Sequence, residues 1–179
     1  MTTERADDLA GVADGFGRLW TPHRLAYIEG AKPPGDPGDS CPFCTAPTRE
    51  DAEGLIVRRG EHCYVVLNLF PYNPGHVLVC PYRHVSAYVD LTDEETTEFT
   101  ALTKQAVQAL HTASAPQGFN LGMNQGDIAG AGIAAHLHQH VVPRWRGDMN
   151  FLPIVGQTKA LPVLLDDTRQ RLAAAWPSA

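Results

Sequence analysis

The run His136-Leu137-His138-Gln139-His140-Val141-Val142-Pro143 constrains this chain more than any other stretch. An alternation of period two is the pattern of a β-strand, whose successive side chains point to opposite faces. A strand over 136–143 therefore lines three imidazoles along one surface and turns Leu137, Gln139 and Val141 to the other. Neighbouring imidazoles would start roughly 6.6 Å apart, at a rise of about 3.3 Å per residue, so that one phosphate can touch two of them.

The surrounding sequence supplies partners for such a strand. Residues 55–59, 63–69 and 76–81 are short apolar or β-branched runs joined by short turns, a spacing that favours antiparallel pairing. Thr92-Asp93-Glu94-Glu95 is a capping box, and Phe99, Leu102, Ala106 and Leu110 follow it at helical spacing. Residues 119–124 read as a further strand, 126–132 as a Gly-rich turn, and about 161–175 as a second amphipathic helix. One antiparallel sheet with helices on one side, an α+β fold, accounts for this order. Residues 31–40, rich in Pro and Gly, cannot hold regular structure. They divide an N-terminal arm and linker, 1–40, from the main domain, 41–179.

With 14 Lys and Arg against 20 Asp and Glu the net charge is −6, so long-range attraction to nucleic acid or an anionic membrane is not expected. An anionic substrate must be captured locally. No apolar stretch approaches the roughly 20 residues of a membrane span, and the polar, acidic N-terminus lacks the features of a secretory signal. The chain is expected in the cytoplasm. There, Cys41 and Cys44, a C-x-x-C pair, read as metal or redox groups rather than a structural disulfide, while Cys63 and Cys80 read as core residues. His23, His62 and His111 read as surface or packing residues.

Imidazole is nucleophilic at neutral pH because much of it is unprotonated at an ordinary pKa of about 6.5. Attack by one ring nitrogen requires the other to hold its proton against an acceptor, while a protonated neighbour stabilises developing charge. His138, flanked on both sides, is the natural nucleophile towards phosphorus. Two strand histidines at i and i+2 are also a good zinc-chelating pair, so spacing alone leaves chemistry and metal binding open.

The run ending in Pro143-Arg144 resembles the signature of the histidine triad superfamily. The likeness extends to Asn68-Leu69-Phe70-Pro71-Tyr72-Asn73-Pro74-Gly75-His76-Val77-Leu78-Val79-Cys80-Pro81 and to Asn124-Gln125-Gly126. Leu19-Trp20-Thr21-Pro22-His23-Arg24 and Arg146-Gly147-Asp148-Met149-Asn150-Phe151 resemble its bacterial branch of diadenosine tetraphosphate phosphorylases and hydrolases. The resemblance implies a homodimer whose five-stranded sheets join and a dinucleoside polyphosphate substrate, with adenine the expected base. It implies attack by His138 on the α-phosphorus, giving a nucleotidyl-histidine resolved by phosphate or water. By position, His140 would contact the phosphate, Asn124 the bridging or leaving oxygen, and Asn68 the ribose and phosphate, with His76 in support. Where many members carry Gln or Ser this chain has Gly132, so the turn containing Gly130 and Gly132 offers only backbone N–H groups to an anion. Trp145 could stack on a base or close the dimer seam.

Zinc-bearing members of the superfamily, and the related galactose-1-phosphate uridylyltransferases, join two cysteines to a histidine following Pro-x-x and to the first triad histidine. Here those are Cys41, Cys44, His84 and His136. The resemblance thus implies a structural Zn²⁺, with no organic cofactor, that takes His136 and leaves His138 for chemistry. Other readings are a nucleoside phosphoramidate or adenylated-substrate hydrolase, a nucleotide-binding protein without turnover, or a hydrolytic zinc enzyme ligated by His136, His138 and His140.

Overall fold

The computed structural model describes residues 41–148 and 162–178. The N-terminal arm and linker, the motif residues Met149, Asn150 and Phe151, and the expected helix start at Leu161 lie outside the described residues. Strands β1 (Ile56–Arg59), β2 (Cys63–Leu67), β3 (Val77–Pro81), β4 (Gly118–Met123) and β5 (Gln139–Arg144) form one sheet. Its order is β1-β2-β3-β5-β4, and every pairing is antiparallel. The α+β expectation holds, but the helices are not confined to one side: the two long ones share a face, while the short helical turn carrying Phe43 packs on the other.

Strands β2 and β3 are buried at every position, so their side chains supply a core to each face. Val57, Cys63, Val65, Leu67, Val77, Val79 and Val141 face helix α3 (Asp93–Ser114), which answers with Phe99, Leu102, Ala106 and Leu110. Helix α4 (Leu165–Ala174) adds Leu172 to the same cluster. Ile56, Tyr64, Val66, Leu78 and Cys80 face the other way, against Cys41 and Phe43. Cys63 and Cys80 are thus buried core residues on opposite faces.

Helix α3 opens at the expected capping box. Thr92 Oγ1 accepts from the Glu95 N–H at 3.2 Å, and Glu95 accepts from the Thr92 N–H at 2.8 Å. One turn on, the Glu98 carboxylate accepts the backbone N–H groups of Glu61, His62 and Cys63, fixing the β1–β2 turn onto the helix. Gly60 makes this approach feasible, because a Cβ there would lie 2.4 Å from Glu98 Oε1.

Several boundaries differ from the sequence reading. The expected strand over 136–143 begins only at Gln139. Its ladder with β3 ends at Val79↔Gln139, since Pro81 has no N–H to offer and its carbonyl accepts from His136 Nε2 at 2.9 Å. Leu137 N–H instead bonds Val85 O at 2.6 Å. The period-two alternation survives in side-chain direction, but His136 and His138 stand on the approach to the strand and only His140 within it. Strand β2 ends at Leu67 rather than residue 69, because Asn68 Oδ1 accepts from Phe70 N–H and starts a turn. Helix α4 starts at Leu165, after Pro162. Residues 41–54, which lack helical periodicity, fold into α1 (Pro42–Thr45), a 3₁₀ turn (Ala46–Thr48) and α2 (Asp51–Gly54).

Candidate active site and metal centre

The face of the sheet away from α3 carries the histidines. His136, His138 and the neighbouring His76 are buried, with exposures of 1, 6 and 0%. A buried imidazole is tolerable only when its ring nitrogens are matched to partners, and the partners here fix each tautomer.

His138 Nδ1 lies 2.8 Å from the carbonyl oxygen of His136. A carbonyl can only accept, so Nδ1 carries the proton and the lone pair sits on Nε2, to which no described residue bonds. Burial lowers the His138 pKa, which further favours the neutral ring. That is the state a nucleophilic imidazole needs. The Phe43 ring packs against it at 4.8 Å between centroids and limits its rotation.

The tautomer of His140 is set from farther away. The Tyr72 backbone N–H donates to His76 Nδ1 at 3.0 Å, so His76 holds its proton on Nε2. That nitrogen is 2.9 Å from His140 Nδ1, which must therefore accept. His140 is left with an N–H at Nε2, beside His138 at 5.1 Å between ring centroids. Burial, with a smaller repulsion from His138, pushes the His140 pKa down to about 4. In the unliganded fold the donor offered to a phosphate is thus a neutral imidazole, not the protonated neighbour expected from sequence.

His136, on the same face, belongs to a separate cluster with Cys41, Cys44 and His84. One donor atom from each lies within 4.8 Å of all the others. Cys41 Sγ and Cys44 Sγ are 3.5 and 3.4 Å from His136 Nδ1, and Cys44 Sγ is 3.2 Å from His84 Nδ1. A tetrahedral zinc with bonds of about 2.3 Å to sulfur and 2.0 Å to nitrogen sets S···N edges of about 3.5 Å, so the set fits with small relaxation. His136 donates Nε2–H to Pro81 O, which turns its Nδ1 lone pair to the cluster. Burial, the larger cause, together with neighbouring imidazoles, pushes its pKa down to about 4, keeping it neutral. The cysteine loop is tied down by Tyr64 O–H donating to Phe43 O at 2.5 Å. His84 is located by its neighbour Arg83, which bonds both Glu95 oxygens at 2.9 and 2.7 Å.

The remaining expected residues divide. Asn68 Nδ2 is 3.3 Å from His76 Nδ1, so Asn68 supports the His76–His140 pair. Asn124 and His140 line one cavity, and Asn124 Nδ2 reaches Gly130 O at 3.5 Å. The Gly130 N–H is already taken by Asp127 O at 2.9 Å. Gly132 is exposed in the adjoining turn. Trp145 is not brought to the imidazoles: it lines a separate cavity with Ala113 and Leu172, on the helical side of the sheet. Sequence reasoning missed Phe43, because a residue inside a C-x-x-C has no motif of its own. It also missed the Tyr72 backbone, because a main-chain donor leaves no mark on residue identity.

Comparison with known proteins places this geometry among relatives. The HIT domain family profile matches residues 49–147. An AP-4-A phosphorylase of Mycobacterium tuberculosis strain H37Rv is 50% identical over 170 residues, covering 93% of this chain and 87% of the relative. A bis(5'-nucleosyl)-tetraphosphatase (asymmetrical) of Schizosaccharomyces pombe is 40% identical over 87 residues, 47% of this chain and 46% of the relative. The crystal structure of a Zn-bound histidine triad family protein from Mycobacterium smegmatis superposes with a TM-score of 0.60 at 26% identity. It covers 76% of this chain and 93% of that one.

Proposed function

The chain belongs to the HIT domain family, and from that premise we propose that it is a phosphorylase of dinucleoside polyphosphates such as diadenosine tetraphosphate. The observation that carries the proposal is the His138 tautomer, with its proton held on the His136 carbonyl and its Nε2 lone pair left for phosphorus. Nε2 attacks the α-phosphorus, and the bond to the α–β bridging oxygen breaks with its electron pair leaving on a nucleoside triphosphate. His140 Nε2–H donates to the phosphoryl oxygens as charge develops, and Asn124 stands beside the bridging oxygen. Asn68 and His76 hold His140 in the donating tautomer. An oxygen of inorganic phosphate then attacks the nucleotidyl-histidine and gives a nucleoside diphosphate, with the electron pair of the N–P bond returning to Nε2. The name and 50% identity of the mycobacterial relative support phosphate over water as acceptor.

In this reading Cys41, Cys44, His84 and His136 hold a structural zinc, as the donor distances and the Zn-bound relative support. When bound, zinc joins the cysteine loop to the segment that presents His138, and it leaves His138 outside its ligand set. The reading also takes a homodimer joined through the edge strand β4, and a cytoplasmic setting in which zinc thiolates stay reduced. Among the described residues no helix is long and apolar enough to cross a membrane.

The test is product identity. Diadenosine tetraphosphate supplied with phosphate should give ADP and ATP in equal amounts, with an adenylated His138 trapped on rapid quenching. AMP and ATP irrespective of phosphate would replace phosphorolysis by hydrolysis. Tight nucleotide binding without turnover or adduct would refute the enzyme reading, and preferential cleavage of adenosine phosphoramidate would move the substrate class.

A further inference from the structure

Beyond His140 the histidine face continues outward over β4. Residues directly opposite in an antiparallel pair share a face, so Gly122 stands beside His140, Asn120 beside Val142 and Gly118 beside Arg144. A Cβ added at Gly118 or Gly122 would meet nothing within 4 Å, so the space above both is open. A cavity of about 290 Å³ occupies it, walled by Tyr72, Asn73, Asn120, Asn124, His140 and Arg144. Strand β5 advances roughly 13 Å between His140 and Arg144, and the volume lies at the lower end of ligand pockets, suiting part of a ligand.

The chemistry of the trough indicates which part. Its one cation is already matched: Arg144 Nε and Nη2 bond the Asp148 carboxylate at 2.5 and 3.0 Å, and Nη1 bonds Asn120 Oδ1 at 2.7 Å. Asn73 Nδ2 adds a bond to the same carboxylate at 2.7 Å. Asp148 thus cancels the charge, and the far end of the trough is a poor seat for a chain of phosphates. What it presents is neutral. Because Asn120 commits its oxygen to Arg144, what it can offer an occupant of the cavity it lines is its amide N–H groups. Tyr72, half-exposed at 50%, lies nearly parallel to the His140 ring, at 5.5 Å between centroids and 19°. An aromatic wall beside amide donors is the equipment by which proteins hold a nucleobase.

The geometry points to a second nucleoside subsite in this trough, over Gly122 and Asn120, which takes the base and ribose of the departing nucleoside triphosphate. The inference rests on the proposed dinucleoside polyphosphate reaction and deepens it: the phosphates next to His140 lead directly into the trough, on the far side of His138 from the cysteine loop. It also supplies a reason for glycine at position 122, where any side chain would project into the occupant.

The experiment compares kcat/KM for diadenosine tetraphosphate with that for adenosine tetraphosphate, which keeps the phosphate chain and lacks the second nucleoside. It uses the full-length wild type, Gly122→Ile and Tyr72→Leu, each checked for unchanged oligomeric mass. Isoleucine suits a strand and fills the trough, while leucine removes the aromatic wall. The wild type should favour the dinucleotide, and each variant should lower that ratio by about ten-fold, the scale of one lost base stack. A ratio equal to wild type in both variants, or equal loss on both substrates, overturns the subsite while leaving the reaction intact. A wild type that turns over neither substrate overturns the functional reading itself, and the subsite with it.

Discussion

The two faces of the sheet are built from the same strands and do different work. On the helical face, Val65, Val79 and Val141 meet Phe99 and Leu110 in an apolar layer, with the Glu98 carboxylate turned to the β1–β2 backbone and the buried Glu95 carboxylate paired with Arg83. On the other face, imidazoles and thiols enter the interior, and each buried ring is matched to a carbonyl, an amide or another ring. Apolar burial stabilises wherever shapes fit, at roughly 25 cal/mol per Å². Polar burial is tolerated only through directional bonds, and those same bonds decide which nitrogen holds a proton. The stabilising face is therefore forgiving, while the reactive face specifies atoms.

This contrast can be broken most sharply at His138. Replacing it with Ala should lower turnover by at least about 10³-fold, as for loss of a nucleophile, while metal content stays near wild type. Loss of metal from this variant would mean that His138 is a ligand, and the division of labour between His136 and His138 would collapse.

Next in size is Cys41→Ser, which reaches the same face through its scaffold. It should lose bound zinc in metal analysis and roughly 3 kcal/mol of stability, about 6–12 °C in melting temperature. Zinc at equal stoichiometry in wild type and variant would defeat the four-ligand assignment.

The smallest effect belongs to the helical face. Glu98→Gln should lose about 1–2 kcal/mol at pH 7 by weakening the bonds to the β1–β2 turn, with kcat unchanged. Burial pushes the Glu98 carboxyl up, but the N–H groups of Glu61, His62 and Cys63 outweigh it and hold its pKa below the ordinary 4.5. A folded value below the unfolded one means that this stabilisation is present above about pH 4.5 and is lost as pH falls through the folded value. Chemical denaturation at pH 7 and pH 3 should therefore show the gap between wild type and variant closing in acid. A constant gap would assign the effect to packing instead.

Much of this molecule is legible in its residues. The capping box at Thr92 and the apolar spacing after it fix α3, since both act within a few turns of chain. The runs on either side of Asn73-Pro74-Gly75 fix a turn between paired strands, and Gly75 takes the left-handed conformation there, with φ of +82°. The period-two histidines assign their side chains to one face. The C-x-x-C, His84 and His136 were identifiable as a set by resemblance, although residues 41 and 136 are far apart in the chain.

Other features exist only once the chain is folded. No local rule says that the strand stops short of His138, because the reason is Pro81 on a neighbouring strand. Nor does residue identity show that the Tyr72 amide directs the proton on His140 through His76, or that Trp145 turns to the helical side. The trough over Gly122 arises from the register of β4 on β5. Sequence by itself determined which groups are present and which way a strand or helix must turn them, because those preferences are local and steric. Tertiary structure decided which nitrogen donates, which charge is cancelled and which surface stays open, because each depends on a partner distant in the chain.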